Sequence, residues 1–65
     1  MRFQEGDIVK IAKTSRYYNS GGSNVKDTEG TLKFTSESSF RYSVRWDAHR
    51  WAYYNDEDLR LVRRP

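Results

Sequence analysis

Between positions 42 and 46 the chain alternates without a fault. Tyr42, Val44 and Trp46 fall on one side, Ser43 and Arg45 on the other. A period of two built from aromatic and β-branched residues describes a half-buried β-strand. Asp47, Ala48, His49 and Arg50 break the pattern and leave room for a reversal. Trp51 to Tyr54 is a second aromatic run, so the two runs read as a hairpin. Asn55, Asp56, Glu57 and Asp58 extend a strand poorly, and Asn or Asp caps a single helical turn. One 3-10 turn is therefore expected there, before a short closing strand that carries Leu59, Leu61 and Val62.

The rest of the chain has to supply the other wall. Met1 to Gly6 is a lead-in with Phe3 its one large apolar side chain, and Gly6-Asp7 is a turn signal. Asp7 to Lys13 reads as the first strand, with Val9 and Ile11 inward and Lys10 outward. Gly30 to Thr35 reads as the second, with Leu32 and Phe34 inward and Thr31, Lys33 and Thr35 outward. Ser36 to Ser39 is a polar turn, and Phe40 reopens the pattern. Residues 14–29 lack apolar periodicity and are rich in Ser, Gly and Asn. A loop that long inside a compact domain is usually functional or disordered. About five short strands with no convincing helix predict a small all-β barrel, with the long loop between strands 1 and 2.

At 65 residues the chain makes one domain, spanning 1–65. Met1 and the compact pattern are read as marks of a whole protein. A chain this short buries only about 60 % of its unfolded surface, so its margin of stability is thin. It has no cysteine, hence no disulfide framework and no thiolate metal site. The core must come from packing, and the ten aromatic rings carry much of the apolar area. No apolar run approaches the roughly 20 residues that span a bilayer, and no signal peptide is visible. A soluble, cytoplasmic monomer without membrane contact is expected. Twelve Lys and Arg face nine Asp and Glu, for a net charge of +3. Setting aside Arg63 and Arg64, in an expected frayed basic tail of residues 63–65, leaves ten against nine. Any basic patch must therefore come from arrangement rather than from excess.

The sequence resembles a known group at several points: Gly6-Asp7-Ile8-Val9-Lys10-Ile11, Gly30-Thr31-Leu32, Val44-Arg45-Trp46-Asp47, and Tyr54 followed by Asp58-Leu59 and Leu61-Val62. These phrases are similar to those of small SH3-like barrels. The group includes KOW-type modules of transcription and ribosomal proteins and, closer still, mind-bomb-type barrels of ubiquitin ligases and short phage proteins. The resemblance covers most of residues 6–62. It implies the SH3-like barrel, but that fold hosts many unrelated activities. The chain departs from the pattern at Ala48-His49, where the group has Asn-Gly, and at Ala52, where it has Asn. Asn-Gly suits a type I′ turn with positive φ, and Ala-His does not. A longer or different turn is expected.

No catalytic constellation is present. His49 is the only histidine, on an expected hairpin tip open to water, which is a poor setting for the base of a triad. One histidine with scattered carboxylates makes no metal site, and Gly21-Gly22 lacks the lysine of a phosphate loop. No enzyme activity, metal or cofactor is expected. Asp56, Glu57 and Asp58 read first as the start of a helical turn, where carboxylates meet free backbone N–H groups.

Parity leaves a sharper set facing outward: Lys10, Lys33, Arg41 and Arg45. Arg16, Tyr17 and Tyr18 on the long loop and Trp51 and Tyr53 on the hairpin would place rings among these cations. That mixture suits nucleic acid bound with weak sequence preference, since cations neutralise phosphates while rings stack on bases. The bland alternative is a solvated sheet face paired to Glu37, Asp47 and Asp58, with the long loop folded over Trp51 and Tyr53. A second functional reading is a protein-interaction module, for instance a phage-type accessory protein docking on a host protein. Tyr17, Tyr18, Trp51 and Tyr53 would then be the anchors, since Tyr, Trp and Arg dominate interface energetics.

Overall fold

A computed structural model of the chain describes residues 2–36 and 42–65. The expected turn over Glu37 to Ser39, together with Phe40 and Arg41, lies outside the described residues. Five strands form: β1 Ile8–Ile11, β2 Gly30–Thr35, β3 Tyr42–Arg45, β4 Trp51–Tyr54 and β5 Leu59–Arg63, with a 3-10 turn at Asp56–Asp58. They make one antiparallel sheet in the order β4-β3-β2-β1-β5.

That order places β4 and β5 on opposite edges, yet only residues 55–58 join them. In a flat sheet, four strand intervals would separate the edges by about 19 Å. A link containing a 3-10 turn reaches roughly 13 Å. The sheet therefore curls until its edges approach, although no ladder closes it. The Ala12 N–H, just past β1, donates to the Asp58 carbonyl at 2.8 Å and ties the link to the far side. The Asp58 carboxylate, buried, accepts the Asn55 N–H at 3.1 Å and the Ser15 hydroxyl at 2.9 Å. The acidic run thus starts the turn, as its residue types suggest.

The concave side of the sheet holds the core: Phe3, Val9, Ile11, Leu32, Tyr42, Val44, Trp46, Tyr54 and Leu59. Burying side chains of this size stabilises by roughly 1.5–3 kcal/mol each. The alternation along β3 is realised, with Tyr42, Val44 and Trp46 buried and Arg45 exposed. The two core tyrosines also keep their hydroxyls bonded. Tyr42 accepts from the Arg2 N–H at 3.1 Å and donates to Asp56. Tyr54 accepts from Trp46 Nε1 at 3.1 Å and donates to Asn24 Oδ1 at 2.7 Å. Burial first, and nearby carboxylates after it, push both phenols above the ordinary tyrosine range. Gly30 is set by close approach. A Cβ there would overlap the Trp46 ring and lie 2.7 Å from a Val44 methyl.

One inward assignment is corrected. Leu32 is buried but Phe34 is 46 % exposed. Leu32 pairs with Val44 and Phe34 with Ser43, so β2 carries an extra residue, Lys33, between them. A bulge of this kind switches every later side chain to the other face. Phe34 goes outward, and Thr35 comes opposite Tyr42.

The β3–β4 connection is longer than a two-residue turn, as Ala48-His49 requires. The Trp46 N–H donates to the Arg50 carbonyl at 2.9 Å. The Asp47 carboxylate accepts the N–H groups of His49 and Arg50 at 2.8 and 2.9 Å and pairs with the Arg50 guanidinium. No residue in this reversal takes positive φ. The chain end continues the sheet and makes ion pairs. Arg63 completes β5 and pairs with Glu29 at 2.7 Å, and Arg64 reaches the buried Asp7.

Candidate functional site

Strands β2, β3 and β4 present a convex face in two cross-strand rows. Thr31, Arg45 and Trp51 form one row. Phe34, Ser43 and Tyr53 form the next. Three large rings stand out of this face, with Trp51 52 % and Tyr53 45 % exposed beside Phe34. They meet edge to face: Phe34 and Tyr53 at 6.2 Å and 64°, Trp51 and Tyr53 at 5.5 Å and 89°. Ser43 points the same way but is buried. It forms the floor of an open groove of about 350 Å³ that Lys33, Phe34, Arg45, Trp51 and Tyr53 also line. A second groove of about 250 Å³ continues past Lys33 and Arg45 toward Thr31, Trp46, Asp47 and Ala48. The two cations therefore stand at the junction of one furrow.

Neither cation is in an ion pair among the described residues. The Arg45 guanidinium touches only carbonyl oxygens of its own hairpin, with Nε 3.3 Å from that of Asp47. Among the described residues, neither Lys33 nor Arg45 has a carboxylate at ion-pair distance. The bland expectation that Asp47 and Asp58 would neutralise the face is not met. Asp47 is held by Arg50, whose hydrogen bonds lower its carboxyl below the usual range. Asp58 is turned inward to Ser15 and Asn55. Glu37 lies outside the described residues.

The other expected site residues are elsewhere. Lys10 lies on β1 opposite Arg60 of β5, away from the furrow. Arg16 stacks over Tyr17 at 5.6 Å. Tyr17 is half-buried, edge-on to Tyr54 at 5.9 Å. Tyr18 donates its hydroxyl to Asp27 at 2.7 Å, which raises its pKa, and lies under the Lys26 ammonium at 5.4 Å. With Val25, the two tyrosines pack against the core. The long loop thus covers the mouth of the core rather than Trp51 and Tyr53, which stay open to water. Arg41 lies outside the described residues.

The structure therefore brings Lys33, Arg45, Trp51 and Tyr53 together, adds Phe34 and Ser43, and leaves Lys10, Arg16, Tyr17 and Tyr18 apart. Phe34 is the functional candidate that alternation misses, because nothing in Leu32-Lys33-Phe34 announces a bulge.

The chain matches no protein-family model, no curated protein and no solved structure. The chemistry of the furrow itself has to carry the functional reading. Among the described residues, no group of His, Asp or Glu could hold a metal ion, and no helix is long and apolar enough to cross a membrane.

Proposed function

We propose that this protein is a small non-enzymatic module that binds nucleic acid across the outer face of β2, β3 and β4, with weak sequence preference. The observation that carries the reading is the joining of Lys33 and Arg45, two cations with no ion-pair partner among the described residues, to three exposed rings in one furrow. Phosphates are drawn to such cations with release of counterions. Rings give base stacking that tolerates any sequence, since every base has a π-face. An SH3-like barrel is the fold in which we place this face. The curled five-stranded sheet, the long loop after β1 and the 3-10 turn before β5 support that assignment.

The test is fluorescence anisotropy of labelled DNA and RNA oligonucleotides while salt rises from about 50 to about 200 mM. Affinity should fall steeply. Lys33→Gln and Arg45→Gln should each flatten the log–log salt slope by about 0.7–0.9. Absence of binding by every oligonucleotide at micromolar protein ends the reading.

One observation favours a protein partner instead. β4 is a sheet edge. The Trp46–Arg50 hydrogen bond sets the phase of its ladder, so the N–H and C=O groups of Trp51 and Tyr53 point away from β3. An extended peptide could add to that edge, with the aromatic side chains as anchors. Such binding would depend little on salt, which separates it from the first reading.

A further inference from the structure

The arrangement of the three rings points to the form of nucleic acid that the furrow takes. We infer that the occupant is an unstacked single strand, with separate bases on Trp51 and on the Phe34–Tyr53 pair and the intervening phosphates on Lys33 and Arg45. This rests on the nucleic-acid reading and narrows it.

The geometry argues as follows. Trp51 and Tyr53 are two residues apart on one face of β4, so their backbone positions are separated by about 6.6–6.8 Å. Bases stacked along one strand of a duplex are only about 3.4 Å apart. The ring planes also disagree with a stacked helix. Neighbouring rings stand at 89° and 64° to each other, so bases lying on them cannot be parallel. A duplex further hides its base faces and offers only edges and phosphates. All of its attraction to this face would come from the two cations, with the exposed apolar rings left against water or the sugar–phosphate surface. A strand with its bases splayed apart uses both the rings and the cations. Lys33 and Arg45 sit where both grooves meet, so the backbone can cross the face there while bases turn to either side. Among the described residues no acidic side chain lines the aromatic groove, and the one carboxylate on the second groove, Asp47, is paired with Arg50.

The experiment uses the full chain and its own fluorescence. Trp46 is buried and Trp51 exposed, so quenching by a ligand at the furrow reports on Trp51. Oligo-dT and oligo-rU of about eight nucleotides are titrated beside a mixed-sequence duplex of equal length at one salt concentration. Expected are quenching by the single strands and affinity at least about tenfold above that of the duplex. Read by the anisotropy of labelled oligonucleotides, since these variants lack the Trp51 fluorophore, Trp51→Ala should weaken single-strand binding by about tenfold and change duplex binding far less, while Trp51→Phe should recover most of the loss. The gap between the dT and rU arms tells which sugar is preferred, and tight binding of either supports the inference. Duplex binding as tight as single-strand binding would overturn it, as would single-strand binding indifferent to Trp51→Ala. In both cases the broader nucleic-acid reading survives on phosphate contacts. Failure of every oligonucleotide to bind removes both.

Discussion

Arg64, the penultimate residue, closes a two-pronged ion pair on Asp7, with Nε 2.9 Å from one carboxylate oxygen and Nη2 2.8 Å from the other. Asp7 is 1 % exposed, stands just before β1, and also accepts the Gln4 N–H at 3.0 Å. The pair fastens the end of the chain to its beginning, beside the curl of the sheet. A buried carboxylate is tolerated only when its charge is met, so Arg64 has a structural duty and is withdrawn from any ligand. Arg63 and Arg50 are also paired, with Glu29 and Asp47, but in ion pairs that stay exposed to water. Each of these pairs takes out one cation and one anion, so the net excess of +3 is unchanged and falls on the remaining cations. Lys33 and Arg45 matter because they lack such partners among the described residues.

Asp7→Ala should lower stability by about 1–3 kcal/mol at pH 7, measured by urea unfolding. The hydrogen bonds from Arg64, above all, hold the Asp7 carboxyl below its usual pKa. A lowered pKa means that the contribution is present above the unfolded value, near 3.9, and fades as pH drops through the folded value. The gap between wild type and variant should therefore narrow below about pH 4. A gap that stays constant from pH 7 to pH 3 would rule out the ion pair as its source.

The Tyr54 hydroxyl links three parts of the molecule: β4, the Trp46 indole at the end of β3, and Asn24 in the long loop. Tyr54→Phe leaves the ring packing intact but strands a buried indole N–H and releases the loop. About 1–2 kcal/mol of stability should be lost. Amide exchange should rise in residues 14–29 more than in the sheet. In the wild type, the raised Tyr42 and Tyr54 pKa values favour the folded state below the unfolded value, near 10. Stability should fall as pH climbs past that value, because the unfolded chain ionises first. Tyr54→Phe should make that fall shallower.

Gly30 permits the sheet to receive Trp46. Gly30→Ala forces the indole or the Val44 side chain to move within a packed core, and overpacking of this kind costs about 1–3 kcal/mol. A lower melting temperature should be accompanied by a shift in Trp46 emission. Unchanged stability would mean that the indole does not lie over Gly30.

Much of the sheet is legible because burial imposes a period of two. Tyr42, Val44 and Trp46 share the core side as the alternation requires, and the 3-10 turn starts where Asn55 and the acidic run indicate. The long loop is legible as a loop but not in its role. Tyr17 and Tyr18 look like free rings in sequence, and only tertiary packing on Tyr54 and Asp27 takes them out of the exposed set. Arg64 looks like a loose cation for the same reason: its partner is 57 residues away. The site is half legible. Arg45, Trp51 and Tyr53 follow from parity, whereas Phe34 depends on a local count of residues between two ladders, which no single-strand pattern contains.

That count can be tested directly. With unbroken alternation, Leu32 and Phe34 would be equivalent, and truncating either would open a cavity. The bulge at Lys33 makes them opposites. Leu32→Ala removes a side chain that is 1 % exposed and should cost about 2–5 kcal/mol. Phe34→Ala removes an exposed ring whose described neighbours are Tyr53 and the furrow, and should cost less than about 1 kcal/mol. On oligonucleotide binding the order should reverse. Phe34→Ala should weaken single-strand affinity several-fold. A Leu32→Ala chain that still folds should bind as wild type. Equal destabilisation by the two variants would place Phe34 in the core and remove one of the three rings from the proposed surface.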